Sequence, residues 1–296
     1  MGKDLAERFP AARATFAAID EALGFGLSRL MFEGPESELT ATHNAQPAIL
    51  AHSAAVFAVA GPVVGTTAVA AAGHSLGEYS AYVAAQALTP SDAARLVRKR
   101  GELMHRAGQQ RPGTMAAVLG LPNAQVEAVC QSVSRKDAVV VAANLNAPDQ
   151  TVISGDTDAV AKAGEACQAR GAKRVIALKV SGAFHSPLME SAARALQPEL
   201  ERAPFGAPRL PVLANATAEA VTAAARARQL LVDQVTAPVR WVDCMVQAGG
   251  LAGAGARFLE IGPGNVLSGL LKRILPEATA VSLGTADELT RFLEAA

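Results

Sequence analysis

Apolar residues at helical spacing alternate along this chain with short continuous apolar runs. Apolar positions that recur every three or four residues predict amphipathic helices, whereas short apolar runs bounded by turn residues predict buried strands. Helices are predicted at 3–19, 47–60, 78–88, 91–107, 187–203 and 223–235, and strands at 67–72, 210–214 and 257–261. This alternation favours an α/β fold with helices on both faces of a sheet.

The middle of the chain has its own order of elements. Its predicted strands and helices are TMAAVLGL (114–121, strand), NAQVEAVCQSV (123–133, helix), AVVVAANLNAPDQTVISG (138–155, two strands joined by a turn), DAVAKAGEACQAR (158–170, helix) and KRVIALKV (173–180, strand). The order βαββαβ is typical of a ferredoxin-like unit. We therefore expect a ferredoxin-like subdomain at 110–182, inserted into a larger α/β domain made of 1–109 and 183–296.

Composition narrows the class of protein. The chain has 296 residues, 50% of them hydrophobic, and a formal net charge of zero, so no overall field indicates nucleic acid or an anionic membrane as a partner. Its three cysteines lack C-x-x-C spacing, which argues against a zinc site or a disulfide framework and favours the reducing cytoplasm. The N-terminus is charged where a signal peptide is apolar.

The most hydrophobic region, 54–73, is interrupted by Gly61, Pro62 and Gly65. A membrane span needs about 20 consecutive apolar residues. The region therefore predicts the end of a helix, a turn and a strand, and we expect a soluble protein.

The stretch GHSLGEYSA (73–81) places Ser75 between two glycines, where a predicted strand turns into a predicted helix. G-x-S-x-G in that context is the nucleophile elbow, in which the serine Oγ is exposed at the start of the helix. The alternative is that Ser75 only caps the helix. The strand–turn–helix context favours a nucleophile.

A nucleophilic serine needs a base, and His185 is the best placed of the five histidines. It follows a predicted strand and a glycine in KVSGAFHSPLME, and it precedes Ser186-Pro187, which predicts the start of a helix. Such junctions are where α/β sites gather. A histidine that only satisfies a turn is an equally good interpretation at this point. His52 and His105 lie within helical patterns, and His74 is too close in sequence to Ser75.

Arg100 lies in the middle of an apolar stripe of the predicted helix 91–107. A buried guanidinium is costly unless it meets an anion. It can pair with an Asp or Glu from elsewhere, or it can bind a substrate carboxylate through its planar fork. Helical geometry alone leaves these two interpretations equal.

No metal cluster and no phosphate loop stands out, since GPGN at 262–265 lacks the Lys-Ser/Thr that a P-loop requires.

Several segments taken together resemble the malonyl-coenzyme A:acyl carrier protein transacylases of fatty acid synthesis, over about residues 1–275. These segments are GHSLGEYSA, RKRGELM, NLNAPDQTVISG, GAFHSPLM, PVLANATA, PVRW and FLEIGPGNVLSGLLKR. The resemblance implies an α/β-hydrolase-like large domain with an inserted ferredoxin-like small domain. It also implies malonyl-coenzyme A and acyl carrier protein as partners, and no cofactor.

The resemblance implies the following roles. Ser75 is the acylated nucleophile, His185 is its general base, and the backbone carbonyl of Gln234 orients that base. The backbone N–H of Leu76 is an oxyanion donor, and Arg100 holds the malonyl carboxylate. Three further side chains line the acyl pocket: Gln46, Met104 and Phe184. The segment GAFHS resembles the malonyl-selecting form, whereas relatives that select methylmalonyl carry Tyr-Ala-Ser-His there.

One feature of the family is absent from this sequence. The family opens with a strand and a loop reading Phe-Pro-Gly-Gln-Gly-Ser-Gln, and that loop supplies a second oxyanion donor. Here the sequence begins at MGKDLAERF. We expect that the start was assigned too late, which an in-frame stop codon directly before Met1 would contradict. If 1–296 is the whole chain, we expect weak activity and low stability, since one oxyanion donor contributes about 10²–10³-fold in rate.

Other functions are compatible with these residues. An acyltransferase of polyketide assembly is the nearest alternative, and a hydrolase of related architecture is another. A catalytically impaired module that binds a carrier protein is a third.

The acidic carrier protein is expected to meet basic residues, with five candidates: Arg95, Arg98, Lys99, Lys272 and Arg273.

Overall fold

Helices make up most of the structure, a computed structural model that describes residues 1–65 and 67–295. Thr66 and Ala296, which fall in the predicted large domain, lie outside the described residues. The α-helices of the described residues are α1 (Lys3–Arg8), α2 (Pro10–Leu23), α3 (Leu27–Glu33), α4 (Glu36–Leu39), α5 (Thr42–Val64), α6 (Gly77–Ala84), α7 (Pro90–Gln110), α8 (Asn123–Val133), α9 (Thr157–Ala169), α10 (Glu190–Arg202), α11 (Ala224–Asp233), α12 (Trp241–Ala252), α13 (Val266–Ile274) and α14 (Ala286–Glu294). A short 3₁₀ helix, Pro187–Met189, precedes α10.

Within residues 1–65 and 67–295, the strands form three separate sheets. They are β1 (Ala71–Ala72), β2 (Thr114–Leu119), β3 (Val140–Ala147), β4 (Gln150–Gly155), β5 (Arg174–Ala177), β6 (Val212–Leu213), β7 (Ala220–Val221), β8 (Arg257–Ile261) and β9 (Thr279–Leu283). Strand β6 pairs with β1 in parallel and with β7 antiparallel, and β8 and β9 form a parallel pair.

The middle of the chain forms the βαββαβ unit that the sequence predicts. Its strands make an antiparallel sheet in the order β3-β4-β2-β5. Apolar side chains of α8 and α9 pack with inward-facing residues of this sheet, such as Val118 and Ile153, into a core of their own. The predicted α/β fold with a ferredoxin-like insertion is thereby seen in the structure. The boundaries at 109/110 and 182/183 stay predictions.

Helix α5 lies at the centre of the larger core. It packs against α2, α6 and α7, and between Gln46 and Val56 nearly every side chain is buried. Its length and composition alone would allow it to cross a membrane, but its burial makes it a core helix of this fold. The helix end predicted at residue 60 is wrong, because α5 continues through Gly61 and Pro62 to Val64, and the chain enters β1 at Ala71.

Some predicted elements differ from the observed ones. The predicted helix 3–19 is two helices, because Phe9 is extended (φ −117°) directly before Pro10, and the residue before a proline disfavours the helical region. The predicted strands 67–72 and 210–214 shrink to two residues each, because only Ala71↔Val212 and Ala72↔Leu213 are in register. The helix predicted at 78–88 ends at Ala84, before Gln86 adopts a positive φ of 57°.

The chain reversals after β1 and β6 define the position of the site. These strands are parallel neighbours, so their carboxyl ends lie at the same edge of the sheet. Strand β1 leads through residues 73–76 into α6, and β6 leads into Asn215. Helix α7 packs against α5 and α6, which brings its buried face to the same edge.

Candidate active site

Ser75 stands in a strained turn between β1 and α6. Its φ is +53°, in the left-handed region that non-glycine residues rarely occupy. The chain doubles back so tightly that a Cβ on Gly73 would lie 1.9 Å from the carbonyl oxygen of Gly77. Asn215 stabilises the turn, because its Oδ1 accepts the Ser75 N–H at 2.6 Å and its Nδ2 donates to the Gly73 carbonyl at 2.8 Å.

His185 contacts the Ser75 hydroxyl directly. Its Nε2 lies 2.8 Å from Ser75 Oγ, and its Nδ1 lies 2.9 Å from the backbone carbonyl oxygen of Gln234. A carbonyl oxygen can only accept, so Nδ1 carries the proton and Nε2 presents its lone pair to the hydroxyl. The ring is 3% exposed, and burial, followed by the charge of Arg100, lowers the pKa of His185 to about 3. The imidazole is therefore neutral and able to accept the serine proton.

Arg100 is buried beside the same hydroxyl. Its side chain is among the largest that are fully buried, at 1% exposed, and burial lowers its pKa from the ordinary value. One terminal nitrogen donates to Ser75 Oγ at 3.0 Å and to Gln234 Oε1 at 2.9 Å, and the other donates to Gln46 Oε1 at 2.5 Å. None of these partners is a carboxylate. The arrangement suits the capture of an anionic group next to Ser75.

The remaining predicted site residues lie around this centre. Gln46 and Met104 are buried, and Gln46 Nε2 lies 3.7 Å from Met104 Sδ. Phe184 is half-buried and packs against the cores of both units. Leu76 is the N-cap of α6, so its N–H points from a helix start next to the nucleophile.

Sequence reasoning missed three contributors to the site. Glu78 is fully buried, and its Oε2 accepts the Asn215 N–H at 2.9 Å and the Gln234 Nε2 at 2.7 Å. Asn215 holds the turn at Ser75. Gln234 contributes its side chain as well as its backbone carbonyl, because the side-chain amide bridges Arg100 and Glu78.

Signals for these residues were present in the sequence. Glu78 lies on α6 between apolar and aromatic residues, as Arg100 lies in the apolar stripe of α7, and a buried charge indicates a partner. Asn215 directly follows a short apolar strand, at the end of a sheet where sites gather.

The elbow serine, its histidine and a buried arginine fit a transfer of acyl groups, and comparisons with known proteins decide the family. A family model described as "Acyl transferase domain" matches residues 1–292. The chain belongs to this acyl transferase family. It is 44% identical over 274 residues to the malonyl CoA-acyl carrier protein transacylase of Bacillus subtilis (strain 168), which covers 93% of this chain and 86% of that protein.

Solved structures agree with this assignment. The chain resembles an acyl carrier protein S-malonyltransferase from Vibrio cholerae with a TM-score of 0.94 and 37% identity, over 99% of this chain and 94% of that one. It also resembles a malonyl-transacylase solved with its type II PKS acyl-carrier protein, with a TM-score of 0.92 and 40% identity, over 100% of this chain and 95% of that one. The predicted family, fold class and enzyme class are confirmed. The roles of the single residues stay predictions.

Proposed function

We propose that this chain transfers a malonyl group from malonyl-coenzyme A to the phosphopantetheine thiol of an acyl carrier protein, through a malonyl ester of Ser75. The observation that carries the proposal is the buried guanidinium of Arg100, 3.0 Å from a hydroxyl that also contacts the neutral His185. In malonyl-coenzyme A, a three-carbon diacid carries a free carboxylate at one end and a thioester to coenzyme A at the other. Arg100 holds the first while Ser75 reaches the second.

In the first half-reaction Ser75 Oγ attacks the thioester carbonyl carbon, and its proton passes to His185 Nε2. The carbonyl oxygen becomes an oxyanion, which the Leu76 N–H at the start of α6 stabilises. The C–S bond then breaks, and coenzyme A leaves as the thiol with the proton from His185. The contact between His185 Nδ1 and the Gln234 carbonyl holds the ring in the required tautomer throughout.

The second half-reaction runs the same steps in reverse. His185 takes the proton of the phosphopantetheine thiol, the sulfur attacks the ester carbon, and Ser75 Oγ leaves with that proton. Because both thioesters are similar in energy, the protein has mainly to position the acyl group and to exclude water. The His185 ring is buried, which fits that requirement.

The pocket residues set the choice of acyl group. Gln46 Oε1 accepts from the terminal nitrogen of Arg100 that does not contact Ser75, and Met104 packs beside the Gln46 amide. Phe184 leaves less room for an α-methyl branch, and a single methyl contributes about 1–3 kcal/mol of discrimination. We therefore expect malonyl to be preferred over methylmalonyl, with some transfer of the larger group.

The carrier protein is proposed from the names of the relatives. A relative named malonyl CoA-acyl carrier protein transacylase and the malonyl-transacylase solved with a type II PKS carrier are about equally similar to this chain, with 44% and 40% identity. A carrier of polyketide assembly is therefore the second candidate acceptor.

We place the enzyme in the cytoplasm, which the three free, buried cysteines support.

The test is the mass of a holo acyl carrier protein after incubation with malonyl-coenzyme A and the enzyme. We expect a malonyl adduct on the carrier, no adduct with Ser75→Ala, and little release of coenzyme A when the carrier is left out. Turnover of malonyl-coenzyme A at an equal rate without any carrier would instead show a hydrolase. Parallel assays with fatty-acid and polyketide carriers rank the two acceptors.

A further inference from the structure

Among the described residues near Ser75, two ionisable side chains of opposite charge are almost completely buried: Arg100 and Glu78. Arg100 is 1% exposed and Glu78 is 0% exposed, and the Gln234 side chain joins them. Gln234 Oε1 accepts from Arg100 at 2.9 Å, and Gln234 Nε2 donates to Glu78 Oε2 at 2.7 Å. Only one orientation of the amide satisfies both neighbours. The oxygen of the Gln234 amide therefore faces the cation Arg100, and its nitrogen faces the anion Glu78.

Glu78 also reaches the rest of the site. Its Oε2 accepts the backbone N–H of Asn215, whose side chain holds the turn at Ser75. Gln234, which Glu78 orients, donates to the Ser75 carbonyl at 3.0 Å as well. The second oxygen, Oε1, is buried and has no hydrogen-bond partner in the described chain. A carboxylate with one unsatisfied oxygen is costly to bury, so its charge responds readily to its surroundings.

We propose that Glu78 is a positioning residue that serves as the resident counter-anion of Arg100 and gives up its negative charge by taking a proton when an acyl group with its own carboxylate occupies the site. This inference rests on the proposed function, because it needs a carboxylated acyl group at Arg100. In the empty site Glu78 balances the guanidinium through Gln234. A malonyl carboxylate adds a second anion to the same cation, and protonation of Glu78 relieves the repulsion.

The surroundings of Glu78 place this change near neutral pH. Burial raises its pKa to about 7, against the hydrogen bonds from Asn215 and Gln234 and the charge of Arg100, which lower it. The other titratable groups with shifted pKa values on α6 and near it include Tyr79 and Tyr82 of α6, Arg100 of α7, Cys244 of α12, His43 and His52 of α5, and His74 and His185 beside Ser75.

The two tyrosines, Cys244, His52 and His185 keep their charge in the pH range where Glu78 changes its own. Burial raises the pKa values of both tyrosines far above neutral and that of Cys244 to about 12, and it lowers those of His52 to about 4 and His185 to about 3. The pKa values of His43 and His74 are also lowered. Any titration of His43 or His74 is common to the wild type and a Glu78 variant, so a comparison of the two proteins removes it.

Glu78→Gln is the informative variant. A glutamine can keep its carbonyl oxygen toward Asn215 and Gln234 and place its NH₂ where Oε1 has no partner. The measurement is the equilibrium ratio of malonyl-enzyme to acetyl-enzyme in a mixture of both coenzyme A thioesters, read by intact mass. It is taken at about pH 6 and about pH 8, on either side of the Glu78 pKa of about 7.

In the wild type the ratio should fall from the lower to the higher pH, because ionised Glu78 competes with malonyl for Arg100. In Glu78→Gln it should stay constant and exceed the wild-type ratio at the higher pH by about fivefold or more, the lower end of typical coupling between linked sites. At the lower pH the two proteins should agree. A purely structural role would change both acyl-enzymes alike and leave the ratio unchanged.

Two outcomes overturn the inference: a wild-type ratio that does not change with pH, or a Glu78→Gln ratio equal to or below that of the wild type at the higher pH. The wild-type series decides the matter even if the variant fails to fold, which circular dichroism reports. If the wild type forms no malonyl-enzyme at all, the proposed function itself fails, and the inference falls with it. If both acyl-enzymes form and their ratio does not change with pH, the proposed role of Glu78 is contradicted, whereas the proposed function is not.

Discussion

Among single residues, Arg100 is the one that we expect to determine which acyl group is transferred. Its guanidinium is buried, reaches Ser75 Oγ, and bonds to amide oxygens rather than to a carboxylate. Arg100→Ala should lower kcat/KM for malonyl-coenzyme A by about 10²-fold, corresponding to about 3 kcal/mol for a buried charge left without its partner. Acetyl transfer, which offers no carboxylate, should fall far less.

The comparison of the two thioesters, by rapid-quench acylation of Ser75, measures this selectivity. Arg100→Lys is the matched control, because it keeps the charge but loses the planar fork, and we expect an intermediate loss for malonyl. An equal loss of malonyl and acetyl transfer in Arg100→Ala would contradict a carboxylate-binding role.

His185 leads to a prediction about pH. Burial and Arg100 lower its pKa to about 3, so the neutral form that accepts the serine proton persists above that value. The rate of Ser75 acylation should therefore show no decline through pH 6.5, where an exposed histidine would become protonated. The pH profile of single-turnover acylation checks this, over the range in which circular dichroism shows folded protein. A sigmoidal loss centred near pH 6.5 would contradict it.

At this scale the sequence was informative where a charge or a strained turn broke a local pattern. Ser75 lies in a recognisable turn motif, and Arg100 interrupts an apolar stripe. His185 could not be separated from a turn histidine by spacing, because its partner is 110 positions away. Glu78 and Asn215 were missed because their contacts join α6 to the chain after β6, 137 positions apart.

Among the elements, the turn between β1 and α6 places the most demanding steric requirement on the sequence. A Cβ at Gly73 would lie 1.9 Å from the Gly77 carbonyl oxygen, whereas a Cβ at Gly77 would meet nothing within 4 Å. Gly73→Ala should therefore distort the turn, misplace Ser75 and lower acylation by at least about 10²-fold, as small displacements of reacting groups do. Gly77→Ala should keep the fold and most of the activity.

Rates of acylation and the melting temperatures of both variants test this contrast, with Gly77→Ala as the matched control. Similar losses in the two variants would show that the second glycine of G-x-S-x-G has a role that the packing does not reveal. Full activity in Gly73→Ala would show that the turn can relax.

The positions of helices followed from the apolar spacing, whereas the extent of strands did not. Helix α7 was predicted at 91–107 and spans Pro90–Gln110, because its buried face is read from its own residues. Strand β1 has only two residues in register with β6, and a ladder depends on a partner that is distant in sequence. The small unit was predicted more completely, since hairpins and helices within about 70 residues supply most of its contacts.

Across the whole molecule, the small unit joins the large one beside the nucleophile. The backbone of β3 exchanges hydrogen bonds with Val239, from Leu145 N–H at 2.9 Å and to the Ala143 carbonyl at 2.8 Å. Asn146 of β3 lies 2.8 Å from Nε2 of His74, the residue before the nucleophile. The sequence could not predict this junction, because it depends on how two separately folded cores meet.

The proposed carrier surface is also a property of the whole molecule. Of its candidates, Arg273 is engaged by Asp149 and Gln150, while Lys272 is exposed on α13. Lys272→Glu should raise KM for the carrier protein severalfold and leave the malonylation of Ser75 unchanged, because charge steers the encounter with an acidic partner. The wild-type KM should rise with ionic strength.

Lys162→Glu, an equal charge change at an exposed lysine of α9 outside the proposed surface, is the control. Steady-state transfer with varied carrier protein gives KM, and intact mass with malonyl-coenzyme A alone gives the first half-reaction. Equal effects of the two variants, or no effect of Lys272→Glu, would remove Lys272 from the carrier surface.

The covalent intermediate is the central claim, and intact mass of the enzyme mixed with malonyl-coenzyme A in the absence of carrier protein tests it most directly. The expected result is one malonyl adduct, mapped by peptide digestion to Ser75, absent in Ser75→Ala and lost again when holo carrier protein is added. An adduct on another residue, an adduct that persists in Ser75→Ala, or none at all would contradict the account.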